Sequence, residues 1–192
     1  MSALGAKTYS SAGEKLDWTY YDSLVLAAAG TEFSLFQIPI GGGATPKTLA
    51  DTNVNLGGMI PNGQNFTIRA IGAEYLSHNV KASADIDLLY NFLRVATVRF
   101  FITGKDALYS KPLTEIMGIP LLFHSVPAVA GNNENIFSMG RFVGINPLNV
   151  PLILDEQTSY EVRVNIPAAL GAISLVADIV RISLRGILIR RS

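Results

Sequence analysis

The chain has 192 residues, 49% of them hydrophobic and 16% charged, with no cysteine and a formal net charge of +0 at pH 7. A soluble domain is typically about 25% charged and the mean hydropathy here is +0.33, so the missing charge implies surface buried against other subunits or in a membrane. The lack of cysteine excludes disulfides, thiolate metal sites and thiol catalysis, and zero net charge excludes a global field that would draw in nucleic acid.

The membrane reading fails on length. A spanning helix needs about 20 predominantly apolar residues, and the best stretch, Ile166 to Val180, is interrupted by Pro167, Gly171 and Asp178. Met1 to Asp22 has no apolar core behind a basic start, so no secretory signal is expected. The length suits one all-β domain.

Residues 1 to 22 are expected to form an arm ordered by assembly, with the domain at 23 to 192. The arm carries Lys7 and Lys15 against Glu14 and Asp17, and it ends in the aromatic group Trp18, Tyr20 and Tyr21. Leu24-Val25-Leu26 is a short apolar run. Phe33 to Ile40 is apolar on both faces and ends at Pro39, which predicts a buried strand near a sheet edge. Gly41 to Pro46 is a loop by composition. It lacks the Gly-Lys-Ser/Thr of a phosphate cradle.

Asp51 to Leu76 holds a glycine-rich approach, a polar turn at Pro61 to Gln64 and the clearest strand of the first half. From Phe66 the apolar positions alternate as Phe66, Ile68 and Ala70, then slip to Ile71, Ala73 and Tyr75. One extra residue swaps the faces of a strand, and Gly72 is the expected seat of that bulge. Gly57 to Gln64 would then be a loop available to a neighbouring subunit.

Ser83 to Arg94 predicts a helix: Ile86, Leu89, Tyr90 and Leu93 form one stripe, Ser83 is an N-cap, and Asp85, Asp87 and Arg94 suit the helix dipole. Val95 to Thr103 alternates as a strand, with Ala96, Val98, Phe100 and Ile102 inward and Phe101 an outward exception. Gly104 to Asp106 turns the chain, and Ala107 to Glu115 continues extended. Gly118 to Pro151 reads as short strands joined by loops.

Asp155 to Thr158 is a polar turn before a strand with Tyr160, Val162, Val164 and Ile166 facing in. This corner, ILDEQTSYEVRV, echoes MIPNGQNFTIRA at residue 59 onward. Ile173 to Arg190 closes the chain and exceeds a usual strand, so an interruption is expected near Asp178 or Gly186.

The chemistry is sparse. His78 and His124 stand far apart without local ligand partners. Asp85 and Asp87 suit a helix start better than a cation site, since a calcium loop's glycine is missing. No Gly-x-Ser-x-Gly or His-Glu-x-x-His occurs. Asn65-Phe66-Thr67 fits a glycosylation sequon but opens a strand. Arg181, Arg185, Arg190 and Arg191 form a basic strip, read first as a charged strand edge and second as a contact for nucleic acid. No catalytic, cofactor or metal residue is assigned, and none of these readings makes the chain an enzyme.

About eight to ten short strands, long end loops and one helix describe an antiparallel sandwich, a single jelly roll above all. Phe36 to Gly41, Asp51-Thr52-Asn53, Ile60 to Phe66, Phe100 to Leu113, Pro151 to Val164 and Ser183 to Arg190 resemble the capsid proteins of small tailless bacteriophages. The resemblance implies a non-enzymatic jelly-roll subunit of a virion, made in the host cytoplasm. Its partners would be copies of itself and other virion proteins, and it would bind no cofactor. The size suits a single jelly roll, not a double one, so both major-shell and vertex roles stand open. The alternatives are a lectin-like or receptor-binding module built on Trp18, Tyr20 and Tyr21, and a cupin-like enzyme, for which two histidines are too few.

Overall fold

A computed structural model describes residues 13–26, 31–76, 91–102, 107–117, 142–166 and 178–191. The strands in chain order are β1 (Glu14–Val25), β2 (Glu32–Leu35), β3 (Gln64–Leu76), β4 (Thr97–Ile102), β5 (Tyr109–Pro112), β6 (Phe142–Leu154), β7 (Tyr160–Asn165) and β8 (Ile179–Arg190). A short helix, α1 (Leu113–Met117), follows β5. They form two four-stranded antiparallel sheets, β1-β8-β3-β6 and β2-β7-β4-β5. The chain is an all-β sandwich. Among the described residues no helix is long and apolar enough to cross a membrane.

The pairing has a simple rule. β1 pairs with β8, β2 with β7, β3 with β6 and β4 with β5. Two further pairings, β3 with β8 and β4 with β7, join these ribbons into the sheets. The first half of the strands is therefore zipped antiparallel to the second half, and successive rungs of the ribbon alternate between the two sheets.

Period-two alternation decides which side chains meet between the sheets. β7 buries Tyr160, Val162 and Val164 while Glu161, Arg163 and Asn165 remain partly exposed. β4 buries Val98 and Phe100, as the alternation predicts. Tyr160 stacks on Phe100 at 6.1 Å between ring centroids, and Phe36 lies 5.9 Å from it. In the other sheet Tyr20 meets Phe66 edge-on at 5.0 Å. Residues of both sheets join one hydrophobic core cluster. Fully burying each such side chain is worth about 1.5–3 kcal/mol.

The phase slip in β3 is present. Phe66 and Ile68 are buried before it, and Ile71, Ala73 and Tyr75 after it. Its seat is Arg69, not Gly72: Ile68 faces Gly186 and Ala70 faces Arg185, leaving Arg69 as the extra residue. Gly186 is the counterpart that makes the bulge possible. A Cβ there would stand 1.9 Å from the Thr67 carbonyl oxygen. Nor does Gly186 interrupt the last strand. Val180, Ile182, Leu184 and Leu188 keep one phase through it, and β8 begins just after Asp178.

Four other boundaries move. Residues 14–22, expected within the arm, pair with β8 as part of β1. The buried polar Asp22, at an inward position of β1, hides that strand's alternation. β2 ends at Leu35 because Phe36 takes φ 66°, so the strand expected through Ile40 is short; it does lie at a sheet edge. Residues 113–115 are helical, not extended, and buried Leu113, Ile116 and Met117 face the core. Residues 142–151 belong to one strand, β6, despite Pro147 and Pro151. Proline lacks a ladder donor and survives in edge strands, and β6 is the edge of its sheet.

Of the helix expected over 83–94, residues 91–95 are helical, with Phe92 and Leu93 buried; the remainder lies outside the described residues, as do Gly104 to Asp106 and 118–141.

Two outcomes follow. Gly186→Ala is expected to lower stability by about 1–3 kcal/mol through overpacking against β3, read as a lower urea midpoint. Burial, followed by the Asp178 carboxylate, pushes the Tyr75 phenol far up. Burial does the same to Tyr160 and, less strongly, Tyr20, and with Glu115 it pushes Tyr109 up to about 12. The folded state thus holds its phenols neutral after the unfolded chain begins to lose protons near pH ~10. The tyrosines' contribution to stability is then intact below about pH 10 and is lost as pH rises beyond it. Alkaline unfolding monitored by phenolate absorbance should show these tyrosines ionising together with the loss of structure.

Candidate functional site

His78, His124, Asp85 and Asp87 lie outside the described residues. Among the described residues no group of three or more His, Cys, Asp or Glu is arranged to hold a metal ion. The aromatic group of β1 is divided by the sheet. Tyr20 belongs to the core, with Trp18 edge-on to it at 6.2 Å. Tyr21 lies on the outer face, donates its hydroxyl to the Leu49 carbonyl at 2.5 Å, and has the Arg181 guanidinium 5.4 Å from its ring. A single aromatic patch is not formed.

Asp22 organises one edge of the sandwich. It is fully buried, yet each carboxylate oxygen is satisfied. Oδ1 accepts from Lys47 Nζ at 2.6 Å and the Ser23 amide at 3.0 Å, and Oδ2 accepts from the Phe36 amide at 2.6 Å. This holds the turn at Phe36 and draws the following loop back over β1. There Asn53 Oδ1 accepts from the Tyr21 amide at 2.9 Å, and Asn53 Nδ2 donates to the Thr19 carbonyl at 2.7 Å. The open edge of β1 is covered at those positions.

The two echoing corners bind each other. Gln157 N–H donates to the Ile60 carbonyl at 2.9 Å, and Tyr160 N–H to the Gly58 carbonyl at 2.9 Å. The Glu156 carboxylate accepts from the Gly63 amide at 3.0 Å and pairs with Arg191 at 2.9 Å. Asn65, the first residue of the sequon, accepts from the Glu156 amide at 3.0 Å. Gly58 and Ile60 are buried, so the segment 57–64 is held by its own chain and exposes only its tip, Asn62. The sequence shows the likeness of the corners. It carries no signal that they meet.

The C-terminal arginines do not form one strip. Arg181 donates to Ser23 Oγ at 3.0 Å and the Ala50 carbonyl at 2.5 Å, and lies 3.7 Å from the Glu74 carboxylate. Arg190 lies 5.7 Å from the Trp18 ring, and Arg191 pairs with Glu156. Arg185 has no hydrogen-bond or ion-pair partner among the described residues, and its Nε is shut off from solvent.

Sequence reasoning missed the two edges. Where β5 and β6 lie, a hollow of about 360 Å³ is lined by Leu108, Tyr109, Leu148, Val150 and Leu152. At the β1 and β2 edge, another of about 270 Å³ is lined by Leu24, Val25, Ile38, Pro46 and Ile179. Val150 is 76% exposed, Ile153 63% and Val25 58%. Val150 lines the first hollow and Val25 the second, so each edge presents an exposed apolar side chain beside its hollow.

Removing Asp22 tests the edge it organises. Asp22→Ala leaves the Phe36 amide without its acceptor and Lys47 with only the Ser23 carbonyl at 3.1 Å, and should cost about 3–5 kcal/mol. Asp22→Asn keeps an acceptor for Phe36 and should cost less, both read from urea unfolding.

No protein-family model matches the chain, and no curated protein matches it.

Proposed function

We propose that the chain is a non-enzymatic virion structural protein, a jelly-roll capsid subunit that assembles with copies of itself. The observation that carries the fold part is the ribbon pairing of β1 to β4 with β8 to β5, because a jelly roll is such a ribbon wound into two Greek keys. The observation that carries the assembly part is the pair of apolar hollows at opposite edges of the sandwich. An edge that meets the opposite edge of the next copy makes a head-to-tail contact, and such contacts close into rings when the rotation allows. The 16% charge content fits a surface that neighbours cover.

Major-shell and vertex roles are both compatible with this reading, and virion localisation goes with it. Three of the four C-terminal arginines are engaged within the chain, so assembly has more support than nucleic-acid contact.

Size-exclusion chromatography with electron microscopy should show rings or shells. A stable monomer at high concentration would sink the proposal. Val150→Asp and Val25→Asp should each reduce assembly while changing stability by less than about 0.5 kcal/mol, as exposed substitutions do.

A further inference from the structure

We infer that the outer face of the β1-β8-β3 sheet carries a binding site for a small oxyanion, with Arg185 as its principal ligand. The site stands independently of the assembly reading. It is a hollow of about 160 Å³ lined by Thr19, Tyr21, Glu74, Arg181, Ser183 and Arg185.

The register explains why the sheet is hollow there. Tyr21 pairs with Ser183, and Ser183 pairs with Gly72 on the other side. A serine and a glycine thus form the middle of a row whose neighbours are long. A Cβ at Gly72 would stand 2.3 Å from Ser183 Oγ, so only glycine leaves the hydroxyl uncovered. Thr19 pairs with Arg185 one row along, and Arg181 pairs with Glu74 one row the other way. Two guanidiniums therefore flank a small-residue floor.

The charges do not cancel. Arg181 stands beside Glu74 at 3.7 Å and spends its other donors on Ser23 and Ala50. Arg185 has no acceptor among the described residues, and its Nε–H is closed off from solvent. Arg163 and Arg190 have the same closed Nε, so the case for Arg185 rests on its place beside Ser183 and Thr19 in the hollow. Neither Ser183 Oγ nor Thr19 Oγ1 has a side-chain hydrogen bond among the described residues, so two hydroxyl donors lie beside the free guanidinium. A planar guanidinium with adjacent hydroxyls suits the several oxygens of a phosphate or carboxylate. The volume accepts one such group.

The test is titration of the full chain with sodium phosphate and with sodium acetate at constant ionic strength, by calorimetry and thermal unfolding. Saturable binding is expected, weakened about tenfold in Arg185→Gln, as loss of a charge-assisted contact implies. Ser183→Ala should weaken it less, and Arg191→Gln, which alters an arginine outside the hollow, should leave it unchanged. Phosphate binding well above acetate assigns the site to phosphoryl groups; comparable binding assigns it to carboxylates. If neither ion saturates, or if Arg185→Gln and Ser183→Ala both bind as the native chain does, the inference is overturned.

Discussion

The sandwich depends on how β3 changes faces without losing either neighbour. β3 lies between β8 and β6, so an extra residue at Arg69 must be absorbed on both sides at once. On the β8 side the answer is subtraction: Gly186 has no side chain where the Thr67 carbonyl comes close. On the β6 side it is addition. Ile68 faces Leu152 and Ala70 faces Pro147, so five residue steps on β6 answer two on β3. The added residues bring Val150 to the surface and help to line the hollow shared with β5. One bulge therefore lets β3 keep an apolar inner face along its length and also shapes an exposed apolar edge.

The second constraint is that several polar groups are buried and must be answered. Asp22 is answered by Lys47 and two amides, and Asp178 by the Tyr75 hydroxyl. Asp178 also accepts the Leu26 amide on its backbone carbonyl at 2.8 Å, tying the end of β1 to the start of β8. Removing one partner of a buried ion pair is far more costly than the pair is stabilising. These groups therefore fix register and loop path more than they add net stability. The corner clasp acts in the same way at the other end, where Arg191, Glu156, Gly63 and Asn65 lock the two halves of the ribbon.

Where one face of a strand is apolar and the other polar, the sequence carries the structure plainly. β4, β7 and the start of β3 could be read residue by residue for this reason. β1 could not, because Asp22 stands at an inward position among tyrosines and only its distant partners, Lys47 and Phe36, make that acceptable. β6 was obscured by prolines whose tolerance comes from its place at a sheet edge, a property of topology and not of local sequence. The same holds for the surface. Four arginines near the C-terminus look alike in sequence, yet Glu74, Trp18 and Glu156 each engage one of them, and Arg185 stands apart. Which arginine is available depends on acceptors more than a hundred residues away for Arg181.

The outer face of the second sheet is charged and bears on the proposed association. Phe101 is the outward aromatic of β4, and it is flanked by Arg99 at 5.2 Å and Arg163 at 4.7 Å. Arg163 also pairs with Glu32 at 2.9 Å and Glu161 at 2.8 Å. Its hydrogen bond, with a further one from Ser34, holds the Glu161 carboxyl below the usual range against the opposing effect of burial. Such exposed pairs add little to stability, but they answer one another's charges on the face itself. A neighbour docking there would have to strip water from these paired charges, a cost that close contact seldom recovers. The edges add exposed Val25, Val150 and Ile153 to their own polar contacts. In the proposed assembly the contact would be edge to edge, and the outer sheet faces, including the hollow at Arg185, would stay open to solutes.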